Sequence, residues 1–163
     1  MQGLGSGRVT VGIHIAAPAL AVAPQSAVDR IARDRLSTVY IPGHKLTMLP
    51  DAVVEAFTLA EGREAPVLSL YVTVDETTLA TLASETRIER IRIAANLRHD
   101  KLESEVNEAT LAAGLPASLP FAAELTFLHG LARHLKAGRE QVRGKPENFN
   151  RPDYASRVST RNA

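Results

Sequence analysis

Arg35-Leu36-Ser37-Thr38-Val39-Tyr40-Ile41-Pro42-Gly43, running on to Met48-Leu49-Pro50, is the stretch on which the reading of this chain turns. Ser37 to Ile41 is rich in β-branched and aromatic residues and predicts an extended segment. Pro42-Gly43 predicts a turn, because proline presets the first central angle and glycine tolerates a positive second one. An aromatic ring therefore stands beside a turn, with basic and hydroxyl residues on both sides. Read from the residues alone, Tyr40 has two open readings: a turn aromatic packed on the core, the commoner case, or a platform for a flat ligand.

Upstream, Val9 to Ala16 alternates and is β-branched, which predicts a strand with Val11, Ile13 and Ile15 buried on one face. The preceding Met1 to Arg8, with Gly3, Gly5 and Gly7, reads as the turn of a hairpin. It is not a nucleotide-binding loop, since it precedes a strand where such a loop opens a helix. A hairpin needs a strand before its turn, and none is present, so truncation at the N-terminus is one expectation. Ser26 predicts a capped helix to about Arg35. Asp51 is expected to cap a helical turn over Val53, Val54 and Phe57.

Downstream, Pro66 to Val74 alternates cleanly and predicts a strand, Asp75 to Thr78 a turn, and Glu85 to Ile93 a returning strand with a possible bulge where the apolar phase shifts. The period then changes. Asn96 to Ala113 predicts an amphipathic helix ended by Gly114. Leu115 to Pro120 reads as a linker. Phe121 to about Arg143 predicts the longest helix, with Leu125, Leu128, Leu131 and Leu135 at helical spacing. The fold class expected is α+β: an antiparallel strand group packed with helices.

Composition sets outer bounds. The 163 residues suffice for one domain with a core. Aromatics are 4% with no Trp, so aliphatic residues must fill that core. A net charge of +1 neither demands nor excludes a polyanionic partner. No cysteine is present, which excludes disulfides and cysteine metal sites and agrees with a reducing compartment. The apolar run Ile13 to Ala23 is too short to span a membrane and is broken by Pro18. A cytoplasmic protein without a membrane role is the expectation.

Five histidines invite a metal reading. His129 and His134 are five apart, on different helix faces, and no pair has ligand spacing. His14, in an apolar strand, reads as a hydrogen-bonded structural group more readily than as a ligand. Arg87, Arg90, Arg92 and Arg98 form one basic ladder. Lys136, Arg139, Arg143 and Lys145 form another. Each residue is more readily a solvated, charge-balanced one, while together they suit a phosphate channel.

The order of four short motifs resembles the RNB domain of the ribonuclease II family of 3′→5′ exoribonucleases. These are Val11 to Ala16 (valine-x-isoleucine-histidine-isoleucine-alanine), Arg35 to Pro42 (arginine-x-x-threonine-x-tyrosine-x-proline), Met48-Leu49-Pro50, and Arg151-Pro152-Asp153-Tyr154. The resemblance covers about residues 9 to 154, so residues 1–154 are expected to be a partial RNB domain and 155–163 an unpatterned tail. It implies hydrolysis of single-stranded RNA to nucleoside monophosphates. It also implies Mg²⁺ held by an aspartate cluster, whose family segment lies upstream of the strand matching Val9 to Ala16. No carboxylate of this chain is assigned to that cluster, and no catalytic or metal-binding residue is expected here. Tyr40 is implied to pack on the 3′-terminal nucleotide, and Phe149 to stack on a base. The family's aspartate after histidine-isoleucine-alanine is Ala17-Pro18 here, and a tyrosine near the later helix is His99.

Three hypotheses follow. The chain is part of an exoribonuclease and is by itself nearly inactive; or it is a non-catalytic module that holds RNA or a protein; or it is a truncated product of marginal stability, motivated by the unpaired edge of Val9 to Ala16. Oligomeric state and RNA preference are not readable from the sequence.

Overall fold

A computed structural model of the chain describes residues 1–98 and 102–147. His99, Phe149, the Arg151–Tyr154 element and the expected boundary at residue 154 lie outside the described residues. The class is α+β, as the alternation and period change predict. Three strands form one sheet in the order β1 (Arg8–Ala16), β4 (Glu64–Asp75), β5 (Thr81–Arg92), and β2 (Val39–Ile41) pairs with β3 (His44–Leu46) in a separate ribbon. Among the described residues the α-helices are α1 (Ala27–Arg35), α2 (Asp51–Phe57), α3 (Glu108–Ala113) and α4 (Ala122–Arg143).

The long strands pair antiparallel. Thr10 meets Thr73, His14 meets Ser69, and the Ala17 N–H donates to the Pro66 carbonyl, so partners descend as β1 rises. The β4–β5 turn is fixed by Asp75, whose carboxylate accepts from the Thr77 N–H (3.0 Å), the Thr78 N–H (2.7 Å) and the Thr78 hydroxyl (2.9 Å). At the far end Gly62 donates to Ile93, and Ile93 donates to Arg63, so two residues face one, as in a bulge.

Two compact units divide the chain. The first comprises Met1–His14, Ser69–Ile88 and the described residues from 94 to 147. Its core is Val9, Val11, Val74 and Leu131, with Val72, Leu79 and Phe127 packed against it. Leu131 and Phe127 come from α4, so the helix covers one face of β1 and β4 at their Val9 and Val74 ends. The second comprises Ile15–Leu68 and Glu89–Ile93, with Phe57, Ala65 and Val67 buried.

Several expectations need correction. Val11 is buried, but Ile13 and Ile15 are 50% and 61% exposed, because the covering helix reaches only the Val9–Val11 end of their face. The N-terminal glycine turn does close on a partner: Gln2 and Thr10 exchange backbone hydrogen bonds of 3.0 and 2.9 Å. Asp51 is the first residue of α2, not its cap; Pro50 holds that place and offers no side-chain bond.

Of the helix expected from Asn96, Leu102 and Glu108–Ala113 are helical and residues 103–107 are not; residues 99–101 lie outside those described. Asn107 explains why Glu108 opens a helix of its own. Its side-chain oxygen accepts from Ala109 and Thr110 N–H while Thr110 Oγ1 takes the Asn107 N–H, a reciprocal cap that competes with helix continuing through it. The Ser26 cap stands as expected, accepting from Asp29 N–H at 3.2 Å. The longest helix ends at Arg143, as expected, with Gly144 after it in the left-handed conformation.

Candidate nucleic-acid interface

The hairpin β2–β3 carries Tyr40. Pro42-Gly43 is its two-residue loop, with Gly43 at φ +76°, the angle a type II turn demands of its third residue. That loop sets the register: Ile41 faces His44, Tyr40 faces Lys45, and Val39 faces Leu46. Side chains alternate, so Tyr40 and Lys45 share one face, and Val39, Ile41, His44 and Leu46 share the other. Tyr40 is 79% exposed. Its ring is not a core residue, and of its two open readings the core-packed one is removed.

The base of the hairpin is braced. Arg35 Nη1 donates to the Thr47 carbonyl at 2.7 Å, and the Met48 N–H donates to Thr38 Oγ1 at 3.3 Å. Arg35 of the motif thus ties the end of α1 to the strand leaving the hairpin. This role was not legible in the sequence. The Lys45 position was missed as well, although the rule that a two-residue loop fixes which residues oppose each other is a signal that could have found it.

A second polar group lies on the sheet within the first unit. His14 Nδ1 is 2.8 Å from Ser69 Oγ. The His14 ring stands edge-on to Tyr71 at 5.6 Å, and the Arg87 guanidinium lies 4.5 Å from the centre of the Tyr71 ring. Arg87 also meets Glu85 at 3.0 Å. Beside them Thr10 and Thr73 hydroxyls bond at 3.0 Å, and a cavity of about 490 Å³ opens against Thr10, Tyr71, Thr73, Glu85 and Arg87. Ser69 is fully buried, so its hydroxyl is not an accessible nucleophile. His14 is the hydrogen-bonded structural group that its place in an apolar strand predicts.

The basic ladders are largely neutralised. Arg87 pairs with Glu85, and Arg90 approaches Glu64 at 4.0 Å. Lys136 lies 3.8 Å from Glu140. Arg139 grips Glu147 through Nε and Nη2, both at 3.1 Å, and Arg143 adds a third bond at 2.7 Å. Those bonds, Arg139 foremost, hold the Glu147 carboxyl below the usual carboxylate range. For Arg87, Arg90, Lys136, Arg139 and Arg143 the charge-balanced reading is the one the geometry bears out.

Among the described residues no group of three or more His, Asp or Glu side chains converges to hold a metal ion. His129 lines a cavity of about 630 Å³ with Arg133 and Glu108, while His134 borders a different groove with Arg139 and Arg143. Two-metal phosphodiester hydrolysis needs several converging carboxylates, and the described residues do not fit that requirement. Among the described residues no helix is long and apolar enough to cross a membrane.

Comparison with known proteins gives a consistent family. The family model for the RNB domain matches residues 1–162. Protein SSD1 of Saccharomyces cerevisiae is 35% identical over 75 residues, 46% of this chain and 6% of that protein. Its solved structure, described as that of a pseudonuclease, superposes with a TM-score of 0.69 at 28% identity, over 88% of this chain and 16% of the other. Exoribonuclease 2 of Vibrio cholerae is 36% identical over 74 residues, 45% of this chain and 11% of the enzyme. RNase R of Mycoplasma genitalium, solved with ribose-methylated single-stranded RNA, shares the fold at a TM-score of 0.65 and 18% identity, over 81% of this chain and 20% of that one. The chain therefore spans a small part of the length of each relative.

Proposed function

The chain belongs to the RNB-domain family, and from that premise we propose that it forms part of the RNA-holding scaffold of a 3′→5′ exoribonuclease acting on single-stranded RNA, with Tyr40 as the platform for the 3′-terminal nucleotide. The exposure of Tyr40 on a braced hairpin carries this reading. A ring carried on a braced backbone costs less ordering when a base stacks on it than one carried on a loose loop. Stacking accepts every base, since each has a π-face, and contributes about 1–3 kcal/mol per base. That suits degradation without sequence preference. Phe149 is a second proposed stacking residue, outside the described residues. In this reading Mg²⁺ serves the hydrolysis, the products are nucleoside monophosphates, and the protein works in the cytoplasm. No step through the metal is assigned to residues described here, and this chain alone is expected to bind RNA without hydrolysing it.

A second reading is favoured by the structural likeness to yeast Ssd1, described as a pseudonuclease. In it the scaffold is a non-catalytic module that holds RNA or a protein. Binding of short linear and circular single-stranded RNAs separates the two. An exonuclease scaffold requires a free 3′ end, so linear RNA binds more tightly than circular RNA, and Tyr40→Ala erases the difference. Equal binding of both forms supports the second reading. Failure to bind either form removes RNA from both, and metal-dependent release of monophosphates by this chain alone overturns the expected inactivity.

A further inference from the structure

We propose that Lys45 is a positioning residue that contacts a backbone phosphate of the strand whose terminal base stacks on Tyr40, so that one cross-strand pair holds both the face of the base and the charge beside it. The proposal rests on the placement of RNA at Tyr40 argued above. Its basis is the register, which sets Tyr40 directly opposite Lys45. Opposed residues of an antiparallel pair have Cβ atoms about 4.5–5.5 Å apart and project from the same face. The flexible lysine stem can therefore carry its ammonium past the edge of a base lying on the ring, to the phosphate attached to that nucleotide.

No competing use of this charge is present on the hairpin. The segment Val39 to Leu46 contains no acidic residue. Lys45 is exposed and takes part in no ion pair among the described residues. The cation found on a tyrosine face is Arg87 on Tyr71, not Lys45 on Tyr40. His44 faces Ile41 and so belongs to the apolar side of the ribbon. Lys45 is thus the cation on the Tyr40 face of the hairpin. The arginines and lysine of the α4 ladder, by contrast, are engaged by Glu140 and Glu147. A lysine suits the task because it is a compact, mobile point charge with no demand on base identity.

The test is equilibrium binding of a short oligouridylate to the whole chain across a salt series, for wild type, Tyr40→Ala, Lys45→Gln and Lys45→Arg. One phosphate contact to a single strand contributes about 0.7 to the slope of log affinity against log salt, or about fivefold in affinity at 0.1 M salt. Lys45→Gln is expected to flatten the slope by that amount and Lys45→Arg to restore it. Tyr40→Ala is expected to weaken binding at every salt concentration with the slope unchanged. A normal slope in Lys45→Gln, with binding still weakened by Tyr40→Ala, overturns the Lys45 contact and leaves the Tyr40 reading standing. Absence of binding by wild type overturns both. A flattened slope in Lys45→Gln with no effect of Tyr40→Ala overturns the pairing, since the charge would then act away from the ring.

Discussion

His14 Nδ1 lies 2.8 Å from the hydroxyl oxygen of Ser69, across the β1–β4 pairing, and Ser69 is fully buried. A histidine in an apolar strand has few places to satisfy a ring nitrogen, and this serine supplies one. The sheet gains a cross-strand tie at the point where the side chains become polar. Neither residue is exposed in a way that would let the pair act as nucleophile and base.

Ser69→Ala removes that partner and leaves a half-buried ring nitrogen unsatisfied. The expected loss is about 1–3 kcal/mol of stability, read as a lower midpoint in urea unfolding with an unchanged slope. A variant as stable as wild type would mean that water replaces the hydroxyl at no cost.

Gly12 sits two residues before His14 on the same face. A methyl group there would lie 2.7 Å from His14 Nε2 and 3.1 Å from a carbon of the Tyr71 ring. His14 cannot swing aside freely, being bonded to Ser69 and set edge-on to Tyr71. Gly12→Ala is therefore expected to cost about 1–3 kcal/mol by overpacking. The penalty should shrink in a Ser69→Ala background, where the ring is released, and a double-mutant cycle measures that coupling. Strict additivity would show that the ring is not held as described.

Tyr40 is exposed, so its removal should separate binding from folding. Tyr40→Ala is expected to weaken single-stranded RNA binding by about 1–3 kcal/mol, while the thermal midpoint stays within experimental error. Tyr40→Phe keeps the π-face and is expected to retain most of the affinity. A large fall in thermal midpoint for Tyr40→Ala would mean that the ring holds the hairpin instead of a ligand.

The three long strands, the extended Tyr40 segment, the Pro42-Gly43 turn and the Ser26 cap were legible because local patterns specify them; the short strand His44–Leu46 was not. Burial was less so. Val11, Ile13 and Ile15 are equivalent by alternation, yet only Val11 is covered, since where α4 lies is a tertiary fact. The helix expected through Asn107 is interrupted there, because the Asn107 side chain bonds backbone N–H groups better as a cap than within a helix. Tyr40 drew attention through its motif, and its exposure needed the structure. Arg35 stood in the sequence only as part of a motif, and the structure shows it as a brace.

The end of α4 should carry an acid-sensitive clasp. The Glu147 carboxylate is almost wholly enclosed and receives both Arg139 donors and one from Arg143, while its own N–H donates to Glu140 Oε1 at 2.8 Å. Its folded value is lowered, chiefly by the Arg139 bonds. A lowered carboxyl contributes stability that is complete above the unfolded value of about 4.3. That contribution is lost as pH falls through the folded value, because the unfolded chain then takes up protons more readily than the folded one. Thermal midpoints of wild type should therefore fall between neutral pH and strongly acid pH more steeply than those of Glu147→Gln, which begins lower at neutral pH and has no such proton to gain. High salt should change this difference little, since the carboxylate is enclosed. Parallel pH profiles for the two proteins would show that the clasp does not form in solution, and would return Arg139 and Arg143 to the pool of cations open to RNA.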